Sequence, residues 1–238
     1  GTAGFVSLEE IRRQSDIISF HVPLNRDGMD KTLHMVDSEF CSCLPGQPLL
    51  INTCRGEVFD TEAVKAAFRS DALAGMIIDC WENEPEPDPD LLGMAVLGTP
   101  HIAGYSRDGK ANGTRTAVRA VSRYFDLGID EWEPAGIELP DKPVIELDGR
   151  GRTEEAVLAD AILATYEIDR DDEALRETPE RFEQLREEYP VRREFPSYSI
   201  NPVGVGRGLL RKFSALAFNC PEPADAGLTG ETTFDSGG

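Results

Sequence analysis

Basic residues are in short supply in this chain. Its 238 residues include 24 Lys and Arg against 44 Asp and Glu, a formal net charge of −20. Neutralising phosphates takes clustered cations, so no nucleic-acid partner is expected. Long apolar runs are missing as well. No stretch approaches the roughly 20 residues a membrane-spanning helix needs, so no membrane partner is expected either. Cysteine is sparse and odd in number: Cys41, Cys43, Cys54, Cys80 and Cys220. Their spacing suits neither a disulfide framework nor a zinc knuckle, and free thiols fit a reducing, cytoplasmic compartment. Cys41 and Cys43 stand too close for a CxxC metal pair and read as small, partly buried residues. An initiator Met, a basic leader and an apolar signal core are all lacking at the start. The chain opens almost directly on SLEEIRRQ, where Ser7 and Glu10 have capping-box spacing. It therefore reads as a piece of a longer protein that begins in mid-domain.

What is present is an alternation. DIISFHV (16–22), PLLIN (48–52), GMIIDC (75–80) and AVLGTPHIA (95–103) are continuous apolar runs of the kind buried in parallel sheets. Between them lie SEFCSCL, TEAVKAAF behind a capping Asp60, and a shorter piece from Pro89 to Gly93, all helix-like. Strand–helix alternation of this kind predicts a doubly wound α/β sheet. After Ser106 a long amphipathic helix is expected, with Val118, Val121 and Phe125 on one face and an end near Gly128. The acidic, proline-bearing stretch 129–142 reads as a linker. A second unit over 143–220 would hold strands PVIELD and SYSI. Its helices would be TEEAVLADAILATYEI, TPERFEQLREEY capped by Thr178, and GRGLLRKFSALAF. The Gly-, Pro- and Thr-rich tail 221–238 is expected to be disordered.

In open α/β sheets ligands gather beyond the carboxyl ends of the strands. There the sequence places His21–Val22–Pro23, then Thr53–Cys54–Arg55–Gly56, then Asp79 with Trp81 to Pro85, and finally His101 to Tyr105. An arginine, two carboxylates and a histidine thus converge on one rim, which reads as a site. His21 and His34 lack any motif of their own and read as structural. Glu82 and Glu86 read as solvated, with Glu84 preferred on spacing. Arg170 and the pair Arg192–Arg193, set among acids, read as dimer or surface salt bridges.

INTCRGEVFD, DCWENEP and TPHIAGYS resemble, in order and spacing, the signature segments of D-2-hydroxyacid dehydrogenases. HIAGYS followed by DGKANGT resembles more narrowly a branch of that family that acts on a small phosphorylated hydroxy acid. YEIDRDDEALR and FEQLREEYPVRREF resemble the C-terminal dimerisation domain of that branch. The resemblance implies NAD as cofactor and an assembly as homodimer. It also implies a fold made of the C-terminal half of a Rossmann-type doubly wound parallel sheet (1–128) plus a small α/β dimerisation domain (143–220). His101 would move the hydroxyl proton, Glu84 would pair with it, and Arg55 would hold the substrate carboxylate. Asp79, Gly104 and Val22 would meet the cofactor, Val22 standing where relatives often carry Thr, and Tyr105 would contact substrate. Read without the family, Asp79 caps the following turn, Tyr105 packs on the long helix, and His101 is a loop histidine. No GxGxxG occurs in the chain. The glycine-rich turn and the ribose-binding acid are therefore expected upstream, and the 238 residues are expected not to turn over alone. Two other functions stay open: the same reaction on another hydroxy acid such as phosphoglycerate, and a non-catalytic NAD-binding scaffold.

Overall fold

A computed structural model describes residues 4–220, which divide into two units. The first comprises residues up to 137 together with 166–192; the second comprises 138–165 and the residues from 193 onward.

In chain order the first unit begins with α1 (Leu8–Gln14), β1 (Ile17–Phe20), α2 (Ser38–Cys41) and β2 (Leu49–Asn52). It continues with α3 (Thr61–Arg69), β3 (Gly75–Ile78), α4 (Pro89–Met94), β4 (Leu97–Gly98) and α5 (Arg107–Phe125). The four strands form one parallel sheet in the order β1-β2-β3-β4, with Ile17 opposite Leu49, Leu49 opposite Gly75 and Ile77 opposite Leu97. The apolar runs become strands because they are covered: Leu50, Met76 and Ile78 are buried, each worth about 1.5–3 kcal/mol of transfer free energy. Phe20 meets Phe40 and Phe59 edge to face in the same core. Helix starts follow the side chains that cap them. Ser7, Asp37, Asp60, Asp88 and Ser106 each accept a hydrogen bond from the N–H three residues on.

Three features of this unit depart from the sequence reading. The apolar stripe of α5 is uncovered, with Val121 and Phe125 exposed, and the helix stops at Phe125 when Asp126 turns left-handed (φ +50°). Cys43 is exposed while Cys41 is buried, since only Cys41 lies on the core side of α2. Most tellingly, residues 166–192, which had been given to the second unit, belong to the first. They form α7 (Ile168–Glu177), a 3-10 turn over 179–181 and α8 (Phe182–Glu187). The reason is an open edge. Strand β4 would leave a bare N–H, which Asp172 accepts from Gly98 at 2.6 Å. Arg176 then reaches the carbonyls of Leu92 and Ala95 (2.7 and 2.9 Å), and Leu175 and Phe182 complete the core. Thr178 caps no helix here; its hydroxyl donates back to the Ala174 carbonyl.

The second unit pairs β5 (Val144–Asp148) with β6 (Ser199–Val203) in parallel, Ile145 opposite Ile200. Helices α6 (Glu154–Leu163) and α9 (Arg207–Ala215) pack Val157, Ala161, Leu209 and Phe213 against Ile145, Leu147 and Ile200. Helix α6 is capped by the Thr153 hydroxyl and ends at Leu163, short of the 16-residue stretch read from sequence. The tail 221–238 lies outside the described residues.

Candidate active site

Every site candidate follows the carboxyl end of a strand, and each is held by main-chain contacts that the sequence pattern does not announce. After β2, Asn52 is fully buried. Its amide donates to the Arg55 carbonyl (3.0 Å) while its oxygen accepts from the Cys54 N–H (3.2 Å). That folds the chain into a tight turn presenting Arg55. The guanidinium is bound to no carboxylate among the described residues; its Nη1 donates to the Cys54 carbonyl at 2.6 Å. Gly56 follows because nothing larger fits. An added Cβ would lie 1.9 Å from the Trp81 carbonyl oxygen.

After β3 comes Asp79, whose carboxylate is buried and heavily engaged. Oδ1 accepts from the Thr99 hydroxyl and the Ile102 N–H, both at 2.7 Å, and Oδ2 accepts from the Ala103 N–H at 3.1 Å. Asp79 is therefore the anchor of the loop that carries His101. Trp81, also buried, ties the same loop from its other end by donating Nε1–H to the Thr99 carbonyl (2.9 Å). A third tie comes from Arg192, whose Nη2 donates to the carbonyls of Ile102 and Ala103 at 2.9 and 2.8 Å. The Arg192 carbonyl in turn accepts from the Arg107 N–H. Arg192 is thus no surface salt bridge: it holds the carbonyls of the two residues whose N–H groups Asp79 holds. Its guanidinium lies over the Tyr166 ring at 4.5 Å, and Tyr166 and Tyr189 both donate to Asp171. Arg170, by contrast, is exposed and bridged to Glu167 as expected.

The clamped loop delivers His101 in a left-handed conformation (φ +54°), which for a residue with a Cβ costs about 1–3 kcal/mol and persists only where surroundings enforce it. Its Nδ1 lies 2.8 Å from Glu84 Oε2. Glu84 is fixed in turn, its Oε1 accepting from the Trp81 N–H at 2.8 Å. Both side chains are about three-quarters buried (27% and 22% exposed), so the pair is screened yet reachable. With Nδ1 committed to the carboxylate, the ring's Nε2 is the nitrogen left for a reacting group. Cys80 stands beside the pair. Burial, then Asp79 and Glu84, push its thiol well above the usual range, against a smaller opposing pull from the Arg55 guanidinium. Glu84 and His101 are therefore bonded directly, with Cys80 close to both.

The remaining candidates are placed as follows. Gly104 is exposed, and an added Cβ would meet nothing within 4 Å, so packing within the chain does not require a glycine there. Val22 is half-buried and its side chain packs on the core, leaving only main chain for a ligand. Tyr105 packs edge to face on Tyr189 and carries the Lys110 ammonium 4.0 Å from its ring centre. Among the described residues its hydroxyl has no hydrogen-bond partner. These positions suit the nicotinamide end of a dinucleotide: a bare glycine main chain beside a histidine, with a buried acid behind it.

Two residues read as bland turn out to be structured. Glu82 is not solvated: Oε2 accepts from the Thr61 N–H at the start of α3 (3.1 Å), and Oε1 lies 2.5 Å from His34 Nε2. Burial pushes this carboxyl up, but the hydrogen bonds from Thr61 and His34 outweigh it and hold it below the usual range. His34 is thus a structural histidine with an acid partner that lies 48 residues away in sequence, beyond any local pattern.

Comparison with known proteins accords with this geometry. Residues 2–103 match the family described as D-isomer specific 2-hydroxyacid dehydrogenase, NAD binding domain, and residues 138–216 match a domain of unknown function, DUF3410. The parallel sheet of the first unit is thus similar to the NAD-binding domain of the D-isomer-specific 2-hydroxyacid dehydrogenases. More particularly, the chain is similar to erythronate-4-phosphate dehydrogenases. The Bacteroides thetaiotaomicron protein is 42% identical over 201 residues, covering 84% of this chain and 55% of that protein. The Bacteroides fragilis protein is 44% identical over 196 residues (82% and 53%), and that of Yersinia pestis 37% over 237 residues (97% and 57%). The chain spans about half the length of the curated relatives it matches.

Proposed function

We propose that the protein to which this chain belongs oxidises 4-phospho-D-erythronate at C2 to 2-oxo-3-hydroxy-4-phosphobutanoate with NAD, a step of vitamin B6 biosynthesis. It would do so as a cytoplasmic homodimer joined through the C-terminal unit. The observation that carries this reading is the Glu84–His101 pair at 2.8 Å, in a chain similar to erythronate-4-phosphate dehydrogenases.

Oxidising a secondary alcohol removes a hydride from carbon and a proton from oxygen. NAD supplies the acceptor for the hydride when bound, and this chain's residues handle the rest. Glu84 fixes the His101 tautomer with the Nδ1 proton directed at Oε2, so the Nε2 lone pair takes the hydroxyl proton. General-base help of this kind is typically worth about 10²–10⁴-fold. As His101 gains charge, the adjacent carboxylate stabilises the imidazolium. Arg55, held only by a main-chain carbonyl, swings to the substrate carboxylate and the C2 oxygen as a planar fork. Tyr105 offers its free hydroxyl to the substrate. Gly104 and the main chain at Val22 border the nicotinamide, and Asp79 faces it from beneath the loop. The glycine-rich turn and ribose acid come from outside these residues, so the 238-residue chain alone turns over no substrate.

The test is His101→Asn in the full-length protein. Turnover of 4-phosphoerythronate should fall by at least 10²-fold while NAD affinity stays within a factor of two. Unchanged turnover would remove His101 as the proton carrier.

A further inference from the structure

Cys80 has no part in the proposed hydride and proton transfer, yet it stands against both members of the proton-transfer pair. Among the described residues, Cys80, Glu84 and His101 offer a thiol sulfur, a carboxylate oxygen and an imidazole nitrogen that all lie within 4.8 Å of one another. The three come from different places: the end of β3, the loop over 81–88 and the loop after β4. Glu84 and His101 are held by contacts that a bound ion would not need to break: Glu84 keeps its Trp81 bond through Oε1, and His101 stays on the Asp79 and Arg192 clamp. Only Cys80 gives up a contact, its weak S–H donation to Asp79 Oδ2 at 3.9 Å. We propose that Cys80, Glu84 and His101 form a site for a single zinc-class divalent cation, with water as the fourth ligand.

The donor set selects the metal. One sulfur, one nitrogen and one oxygen in tetrahedral array suit Zn²⁺ and Cd²⁺, whereas Mg²⁺ and Ca²⁺ need all-oxygen shells of six or more. The dimensions fit with small movement. Neighbouring ligand atoms around tetrahedral zinc lie about 3.3–3.6 Å apart. The Glu84–His101 gap of 2.8 Å opens by about half an ångström, and since no separation exceeds 4.8 Å, none closes by more than about one and a half. The ion enters from the partly exposed His101 side and takes Nδ1; the ring proton held there moves to Nε2, and the thiol proton passes to water. A metallated imidazole cannot carry a substrate proton. Occupancy and the proton transfer proposed above therefore exclude each other, and only this consequence rests on that reading.

Titration of the tag-free 238-residue chain with Cd²⁺ tests the site without substrate or cofactor, through the ultraviolet cadmium–thiolate band and calorimetry. One ion per chain is expected, with no response to Mg²⁺. Cys80→Ser should abolish the band, and Glu84→Gln and His101→Asn should each weaken binding at least 10²-fold, while Cys43→Ser leaves it intact. Near-ultraviolet circular dichroism checks that each variant is folded. A band that survives Cys80→Ser, one lost in Cys43→Ser, or the absence of a stoichiometric band overturns the proposal, whatever the outcome of the turnover test.

Discussion

Replacing Gly56 with Ala puts one methyl group where the main chain of another loop already runs. The added Cβ would lie 1.9 Å from the Trp81 carbonyl oxygen, 2.0 Å from its carbon and 2.5 Å from the Glu82 nitrogen. Real contacts of this kind do not fall below 3.0 Å, so the two segments must part by at least 3.0 − 1.9 = 1.1 Å. All three contacts are with main chain, so no side-chain rotation relieves them. Overpacking a rigid site costs about 1–3 kcal/mol, and the upper end applies here. The displaced segment is the one whose Trp81 N–H fixes Glu84 and whose indole is tied to Thr99. A shift of about 1 Å at the proton-transfer pair is enough to lower turnover about 10²-fold. Gly113, in the interior of α5 with open space around it, is the matched control. There Ala should stabilise by about 0.5–1 kcal/mol through backbone entropy. Urea unfolding of the two variants should give shifts of opposite sign, and turnover of the full-length protein should fall only for Gly56→Ala. A Gly56→Ala chain within about 0.5 kcal/mol of the parent would refute the close approach.

Asp79→Asn sets an amide N–H₂ against N–H and O–H donors, leaving buried groups unpaired at about 1–3 kcal/mol each. Amide exchange at Ile102 and Ala103 should accelerate by one to two orders of magnitude, and unchanged exchange would deny Asp79 its anchoring role. Arg192→Met frees two carbonyls of the same loop and should destabilise by about 1–3 kcal/mol, with Arg192→Lys, a shorter single donor, recovering part of the loss. Equal loss in both variants, or none, would show that the clamp does not act through those carbonyls. Glu82 carries a lowered pKa, so its contribution is present above the ordinary value of 4.5 and lost as pH falls below it. Glu82→Gln should flatten the acid limb of a stability–pH curve between about pH 5 and 3, and an unaltered limb would mean that its hydrogen bonds contribute nothing.

The sheet was legible because strands inside a parallel sheet tend to be apolar on both faces, as in β3, even though the first strand, β1, buries only Ile18 and Phe20. The four runs found in the sequence contain β1 to β4, with Leu50, Met76 and Ile78 where burial is deepest. Two caps were legible for a local reason, Ser7 and Asp60 each accepting the N–H three residues on, whereas Thr178 makes no side-chain cap bond. The placement of 166–192 was not legible. Its bonds to the first unit run from Asp172 and Arg176 to the main chain of Gly98, Leu92 and Ala95. Main-chain partners carry no signature, so an acidic helix that seals a strand edge looks like an acidic helix in solvent. Arg192 was misread for this reason, since a basic residue among acids suggests salt bridges while its partners are two carbonyls. The stripe on α5 was legible as apolar, but periodicity reports which residues share a face and not what lies against it, and Val121 and Phe125 are exposed.

The same distinction bears on the site. Sequence pattern picked out Glu84 and His101 by spacing, and the structure joins them at 2.8 Å, but that spacing is set by how the intervening residues are held. Thr99, Ile102 and Ala103 bond to Asp79; Thr99 also bonds to Trp81, and Trp81 to Glu84. Starting from Asp79, these bonds close a ring that returns to His101, and the ring fixes both the imidazole's left-handed backbone and the carboxylate's orientation. An acid at the end of β3 thus has a task before any ligand arrives. The segment from Asp79 to Glu84 and the loop from Thr99 to Ala103 work as one mechanical piece, in which a change at Gly56, Asp79 or Arg192 reaches His101 without touching it.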